Sequence, residues 1–163
     1  MDTKINTISL EETQECAKQF ASQFSDKGGL ILLSGNLGAG KTSFTQGFIK
    51  SFNIPGNITS PTFLLVRQYQ IPNSDRWIFH LDLYRLAEPI NLNETGIQEI
   101  LDSTKDNIIL IEWSEKIKSQ LKASEYYEVA IQKIDDTSRS IAISKTTTYT
   151  SGQSYPNTII KLQ

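Results

Sequence analysis

Apolar residues fall along this chain in two rhythms, one helical and one alternating. Residues 5–8 form a short strand candidate. Ser9-Leu10-Glu11-Glu12 then fits a capping box, with Ser9 as N-cap and Glu12 three residues on. Behind it Cys16, Ala17, Phe20, Ala21 and Phe24 recur on one helical face. Gly28-Gly29 ends that unit. Leu30-Ile31-Leu32-Leu33 is a continuous apolar run that suits a buried strand. After a glycine-rich interval, Phe44, Phe48, Ile49 and Phe52 return to helical spacing over residues 42–52, and Asn53-Ile54-Pro55-Gly56 breaks the helix.

The period then shifts to two. Phe63, Leu65, Arg67, Tyr69 and Ile71 alternate with Leu64, Val66, Gln68 and Gln70, and Pro72-Asn73-Ser74-Asp75 is a turn. Residues 76–82 read as the returning strand of an antiparallel hairpin, with Ile78, His80 and Asp82 on one face. Residues 90–101 are a short helix candidate. Ile108-Ile109-Leu110-Ile111-Glu112 is a buried strand that ends in an acid. Residues 126–133 and 139–145 predict a second hairpin around Asp135-Asp136-Thr137-Ser138. There is no internal repeat and no clear interdomain linker. Residues 1–145 therefore read as one domain, and 146–163 as a loosely ordered, Thr/Ser-rich tail with an edge-strand candidate at 158–162.

Composition narrows the class. A chain of 163 residues can bury one core, and 38% hydrophobic with 21% charged residues is ordinary for a soluble globular domain. The net charge of −2 argues against a dominant basic footprint for nucleic acid. Cys16 is the sole cysteine, so an intrachain disulfide is excluded, and its apolar neighbours make it a buried hydrophobe. Met1-Asp2-Thr3-Lys4 lacks a signal peptide's apolar core and no stretch reaches membrane-spanning length, so the expected location is cytoplasmic, with no membrane partner.

The glycine-rich interval carries the strongest chemistry. Gly35-Asn36-Leu37-Gly38-Ala39-Gly40-Lys41-Thr42 is a complete phosphate-binding P-loop between a predicted strand and a predicted helix. Its glycines let successive N–H groups turn inward, and the helix N-terminus adds partial positive charge. The expected nucleotide contacts run over Gly35, Asn36, Leu37, Gly38, Ala39, Gly40, Lys41, Thr42 and Ser43. Lys41 would reach the β- and γ-phosphates, and the Thr42 hydroxyl would ligate Mg²⁺. Glu112, at the end of a buried strand, is the expected second acidic anchor for the metal. Ser60-Pro61-Thr62-Phe63 reads either as a turn into a strand or as a switch segment in which Thr62 senses the γ-phosphate. Asp82 is placed to orient or deprotonate a water, or to bind Mg²⁺ through water; His80, on the same face, reads either as its support or as a structural strand histidine. Arg85 is open to an acid, a phosphate or a surface ion pair, and no arginine stands out as a catalytic finger.

Taken together, residues 35–42, Ser60-Pro61-Thr62-Phe63, residues 80–85, Glu94-Thr95-Gly96-Ile97-Gln98-Glu99 and Ile111-Glu112-Trp113 resemble, in order and spacing, the TsaE family. That family, formerly YjeE, comprises small P-loop ATPases of bacterial tRNA threonylcarbamoyladenosine synthesis. The resemblance covers about residues 5–145. It implies an α/β fold of P-loop NTPase type: a three-layer sandwich with a mostly parallel sheet and antiparallel hairpin additions. It implies ATP and Mg²⁺ as cofactors, with Lys41 on phosphate, Thr42 and Glu112 on the metal, and Thr62 and Asp82 serving hydrolysis. It places the segment from Glu11 to Thr13 near the adenine. It implies docking on the TsaD–TsaB pair, which transfers threonylcarbamoyl to adenosine 37 of tRNA, with tRNA met only through that complex. Asn36 departs from the family's usual Asp. A small-molecule kinase and a nucleotide-gated assembly factor that does not hydrolyse ATP remain the alternatives. A GTP switch is disfavoured, because no Asn-Lys-x-Asp run for guanine is present.

Overall fold

The computed structural model describes residues 3–123, 125–148 and 154–156. The strands are β1 (Thr3–Thr7), β2 (Gly29–Ser34), β3 (Val66–Gln70), β4 (Trp77–Asp82), β5 (Ile108–Glu112), β6 (Glu125–Lys133), β7 (Arg139–Thr148) and β8 (Ser154–Pro156). The α-helices are α1 (Leu10–Ala21), α2 (Lys41–Lys50) and α3 (Ile97–Asp102). One sheet runs β1-β7-β6-β2-β5-β4-β3, with β8 pairing the far end of β7, at Thr146–Thr148, beyond the stretch that β1 pairs. Its centre is parallel, β6 with β2, β2 with β5 and β5 with β4, and its flanks are antiparallel. The apolar runs of β2 and β5 are continuous because both faces are covered, as parallel strands require.

On one face, Phe20 and Phe24 of α1 and the segment after it meet Phe44 and Phe48 of α2 and Tyr127 of β6. Phe20 packs edge-on to Tyr127 at 5.5 Å between ring centroids. α1 approaches α2 closely at Gly47, where a Cβ would sit 2.5 Å from the Gln14 carbonyl oxygen. The opposite face buries Leu30, Leu32, Leu81, Ile109 and Ile111 beneath α3, Ile90, Leu92 and Ile117. These two layers around the sheet make the three-layer α/β sandwich.

The start of α1 follows its sequence. Ser9 Oγ accepts the Glu12 N–H at 3.1 Å, and the Glu12 carboxylate accepts the Ile8 N–H at 2.8 Å. Elsewhere local side-chain chemistry overrides the period. The strand expected from residue 63 starts only at Val66. Pro61 O accepts both the Leu64 and Leu65 N–H groups, and Leu65 takes a φ of +68°, which turns Phe63 and Leu64 outward. The helix expected over 90–101 is confined to α3. Asn91 Oδ1 takes the N–H groups of Asn93 and Glu94, and Asn91 O takes that of Thr95, so a side-chain-closed turn replaces the first helical turns. β7 runs to Thr148, past the boundary expected at residue 145, and β8 adds to it from within the expected tail. The edge strand expected at 158–162 lies outside the described residues.

Candidate nucleotide-binding site

The sheet order sets the site. β2, β5 and β4 are parallel neighbours, so the P-loop after β2, Glu112 at the end of β5 and Asp82 at the end of β4 emerge along one edge. Two glycines make the loop possible. Gly35 has a φ of +141°, and a Cβ there would lie 2.2 Å from the Ile131 carbonyl oxygen. Gly40 caps α2 with a φ of +110°, a region that L side chains rarely adopt.

The N-terminus of α2 opens onto a cavity of about 320 Å³, whose lining includes Gly38, Lys41, Thr42, Thr62, Asp82 and Glu112. Leu37, Gly40 and Ser43 also line it; Ala39 is buried behind the loop, and Asn36 is exposed. Lys41 is folded back on its own loop. Its Nζ donates to Gly35 O at 2.6 Å and Asn36 O at 3.1 Å, and it lies 3.8 Å from the centroid of the Trp113 ring. Trp113 reaches that position through a φ of +60°, an uncommon conformation for a bulky residue, and its ring stacks against Tyr84 at 5.1 Å. Burial pulls the Lys41 ammonium below the ordinary lysine pKa, and the carboxylates of Glu112, Glu115 and Asp82 oppose that shift.

Two buried carboxylates face the loop from the sheet. Glu112 accepts the Thr42 hydroxyl on Oε2 at 2.9 Å and His80 Nε2–H on Oε1 at 2.8 Å. Asp82 accepts the Thr62 hydroxyl on Oδ2 and the Tyr84 N–H on Oδ1 at 3.0 Å, with Ser60 Oγ 3.3 Å from Oδ2. The switch-like segment and the acid of β4 are thus one hydrogen-bonded unit. His80 was expected beside Asp82; it bonds to Glu112 instead, because the register sets Asp82 opposite Glu112 and His80 opposite Leu110, diagonal to Glu112 on the same face.

Among the described residues, no group of three or more His, Cys, Asp or Glu side chains could hold a metal unaided. The donor set nonetheless fits Mg²⁺, which takes few protein oxygens and completes its sphere with phosphate and water. The Thr42 hydroxyl and the Glu112 carboxylate, already in contact in the cavity, would be the protein oxygens for such an ion.

Beside this cavity lies a smaller one of about 140 Å³, bounded by Leu10, Thr13, Gly40, Ser43, Asp136, Thr137 and Arg139. Thr13 is buried in its wall, bonded to Thr7 Oγ1 at 2.9 Å and Ser9 O at 3.0 Å. Glu11 lines a separate groove between α1 and α2 with Gln14, Glu15, Lys18 and Lys50. Arg139 borders both the phosphate-loop cavity and the smaller one, and sequence reasoning passed it over. Its Nη1 is held by the carbonyls of Asp135 at 3.0 Å and Ser138 at 2.9 Å. The available signal was the turn after β6: a strand parallel to β2 must end beside the P-loop.

A P-loop between a buried strand and a helix, with an acid at the end of the adjacent parallel strand, defines a P-loop nucleotide-binding fold. The family model described as threonylcarbamoyl adenosine biosynthesis protein TsaE matches residues 7–141. The chain is 41% identical over 143 residues to the tRNA threonylcarbamoyladenosine biosynthesis protein TsaE of Rickettsia typhi, across 86% of this chain and 94% of that one. It is 33% identical over 141 residues to the protein of the same name from Bacillus subtilis, across 85% and 82%. The crystal structure of Bacillus subtilis YdiB superposes with a TM-score of 0.67 at 29% identity, covering 88% of this chain and 84% of that one. The chain belongs to the TsaE family, which acts in tRNA threonylcarbamoyladenosine biosynthesis. No helix among the described residues is long and apolar enough to cross a membrane.

Proposed function

We propose that this protein is a Mg²⁺-dependent ATPase of the cytoplasm that binds the TsaD–TsaB pair and enables its repeated modification of tRNA at adenosine 37. The observation that carries this reading is the convergence of Lys41, Thr42, Glu112, Asp82 and Thr62 on one cavity at the α2 N-terminus. The loop and Lys41 hold the phosphates. Thr42 and Glu112 hold Mg²⁺, which would supply charge neutralisation of the phosphate oxygens. Water is the nucleophile: its oxygen bonds to the γ-phosphorus as the bond to the β–γ bridging oxygen breaks, and Asp82 orients it or takes its proton. Thr62, bonded to Asp82, couples the 60–65 segment to the γ-phosphate. Thr13 and Arg139 bound the smaller cavity, which suits the nucleoside end.

The surroundings favour partner control. Phe63, Leu64 and Leu37 are exposed on the switch-like segment and the P-loop, and Arg85 stacks on Phe63 at 4.1 Å. Arg76 is committed to the carbonyls of Phe24, Ser25, Lys27 and Asp106, so it is unavailable as a kinase lid. Tests should compare phosphate release from Mg-ATP by the chain alone with release in the presence of the TsaD–TsaB pair and tRNA. Faster release in the complex is expected. Equal rates, or phosphate found on a metabolite, would overturn the proposal.

A further inference from the structure

We infer that His80 is a positioning residue for the reaction, fixing the Glu112 carboxylate through Nε2–H. The inference rests on the proposed Mg-ATP reading. Both side chains are shut away from water, His80 at 0% and Glu112 at 2% relative exposure. A carboxylate so buried is costly unless its oxygens are bonded. Glu112 has two side-chain donors, the Thr42 hydroxyl and the His80 imidazole. The two are not equivalent. Thr42 belongs to the phosphate loop, and its hydroxyl is the oxygen that a nucleotide-bound metal would engage. His80 belongs to β4, an interior strand paired on both sides, and lies outside the residues that line the cavity. Its bond to Oε1 therefore serves as the fixed anchor that aims Oε2 toward Thr42. Because the acceptor is a carboxylate, the hydrogen sits on Nε2. Such outer partners commonly set the orientation of a metal-binding side chain.

The test compares His80→Asn with His80→Gln. A glutamine amide can place an N–H near the position of Nε2; an asparagine amide falls short of Glu112. In His80→Asn, the Mg²⁺ concentration giving half-maximal ATP binding should rise about 10- to 100-fold. ATP affinity in chelator should stay unchanged, and His80→Gln should restore the Mg²⁺ dependence. Wild-type Mg²⁺ dependence in His80→Asn would overturn the inference, as would equal impairment of the glutamine variant, which would mark a packing role. A readout that needs no variant is nitrogen NMR of the imidazole, since His80 is the single histidine of the chain. Hydrogen on Nε2 is expected, and an unprotonated Nε2 would overturn the inference even if both variants misfold. Wild-type ATP affinity indifferent to Mg²⁺ would sink the Mg-ATP reading itself, and this inference with it; Mg²⁺-dependent wild-type binding with indifferent variants sinks the inference alone.

Discussion

Lys41 lies beneath the Trp113 ring, its ammonium 3.8 Å from the ring centroid while it donates to the Gly35 and Asn36 carbonyls. To reach a bound phosphate it must give up these contacts. ATP should therefore change Trp113 emission, which Trp77→Phe would isolate, since the chain has two tryptophans. Lys41→Ala should weaken ATP binding by about 1.5–3 kcal/mol, the value of a charge-assisted hydrogen bond, and reduce the emission change. Calorimetry showing unchanged affinity would remove Lys41 from the phosphate site.

The turn that carries Arg139 gives a pH prediction. Asp135 Oδ1 accepts the Ser138 and Thr137 N–H groups at 2.7 and 2.9 Å, and these bonds hold its carboxyl well below the ordinary value, at about 2. The sign follows from the lowered folded-state pKa. The turn's stabilisation is fully present above the ordinary aspartate value of 3.8 and is lost as pH falls through about 2. Carboxyl NMR of Asp135 should titrate near that lower value. A midpoint at 3.8 would show that the turn, and its hold on the Arg139 guanidinium, is not formed in solution.

The P-loop, the strand before it and the helix after it were legible because glycine spacing and apolar period agree there. Glu112 was legible as an acid closing a run of apolar residues. What the sequence hid depends on register. His80 alternates with Asp82 on one strand face, and only the β4–β5 pairing sends it to Glu112. Arg139 follows a turn whose place beside the P-loop depends on β6 being the neighbour of β2. Phe63 and Leu64 fit the alternation of a strand, but the Pro61 carbonyl and the Thr62–Asp82 bond claim the segment first.

Gly47 tests the packing of α1 on α2. An added Cβ would meet Gln14 backbone atoms at 2.5 to 2.9 Å, and backbone cannot rotate away. Alanine would gain about 1 kcal/mol of helix propensity, against about 1–3 kcal/mol for overpacking. The clash is with main chain at under 3 Å, so the larger cost should win and Gly47→Ala should lower the urea midpoint. A raised midpoint would mean that the helices separate easily and that this close approach is incidental.

A substitution at Asp82 should separate ATP binding from hydrolysis. It is buried, and both its oxygens are occupied, by the Thr62 hydroxyl and the Tyr84 N–H. Asp82→Asn preserves shape but replaces one acceptor with a donor, so it both removes the charge that would orient water and unsettles the Thr62 bond. Single-turnover hydrolysis should fall by about 10²- to 10⁴-fold, the range for a positioned acid–base group. ATP affinity should change little, because Lys41 and the loop remain. Thr62→Val should give a milder loss of hydrolysis, since Asp82 keeps its charge and its Tyr84 bond. If Asp82→Asn hydrolyses ATP at the wild-type rate, the unit formed by Thr62 and Asp82 is structural, and water must be positioned from the Glu112 side of the cavity. If it instead loses ATP binding, Asp82 is needed to form the site rather than to use it.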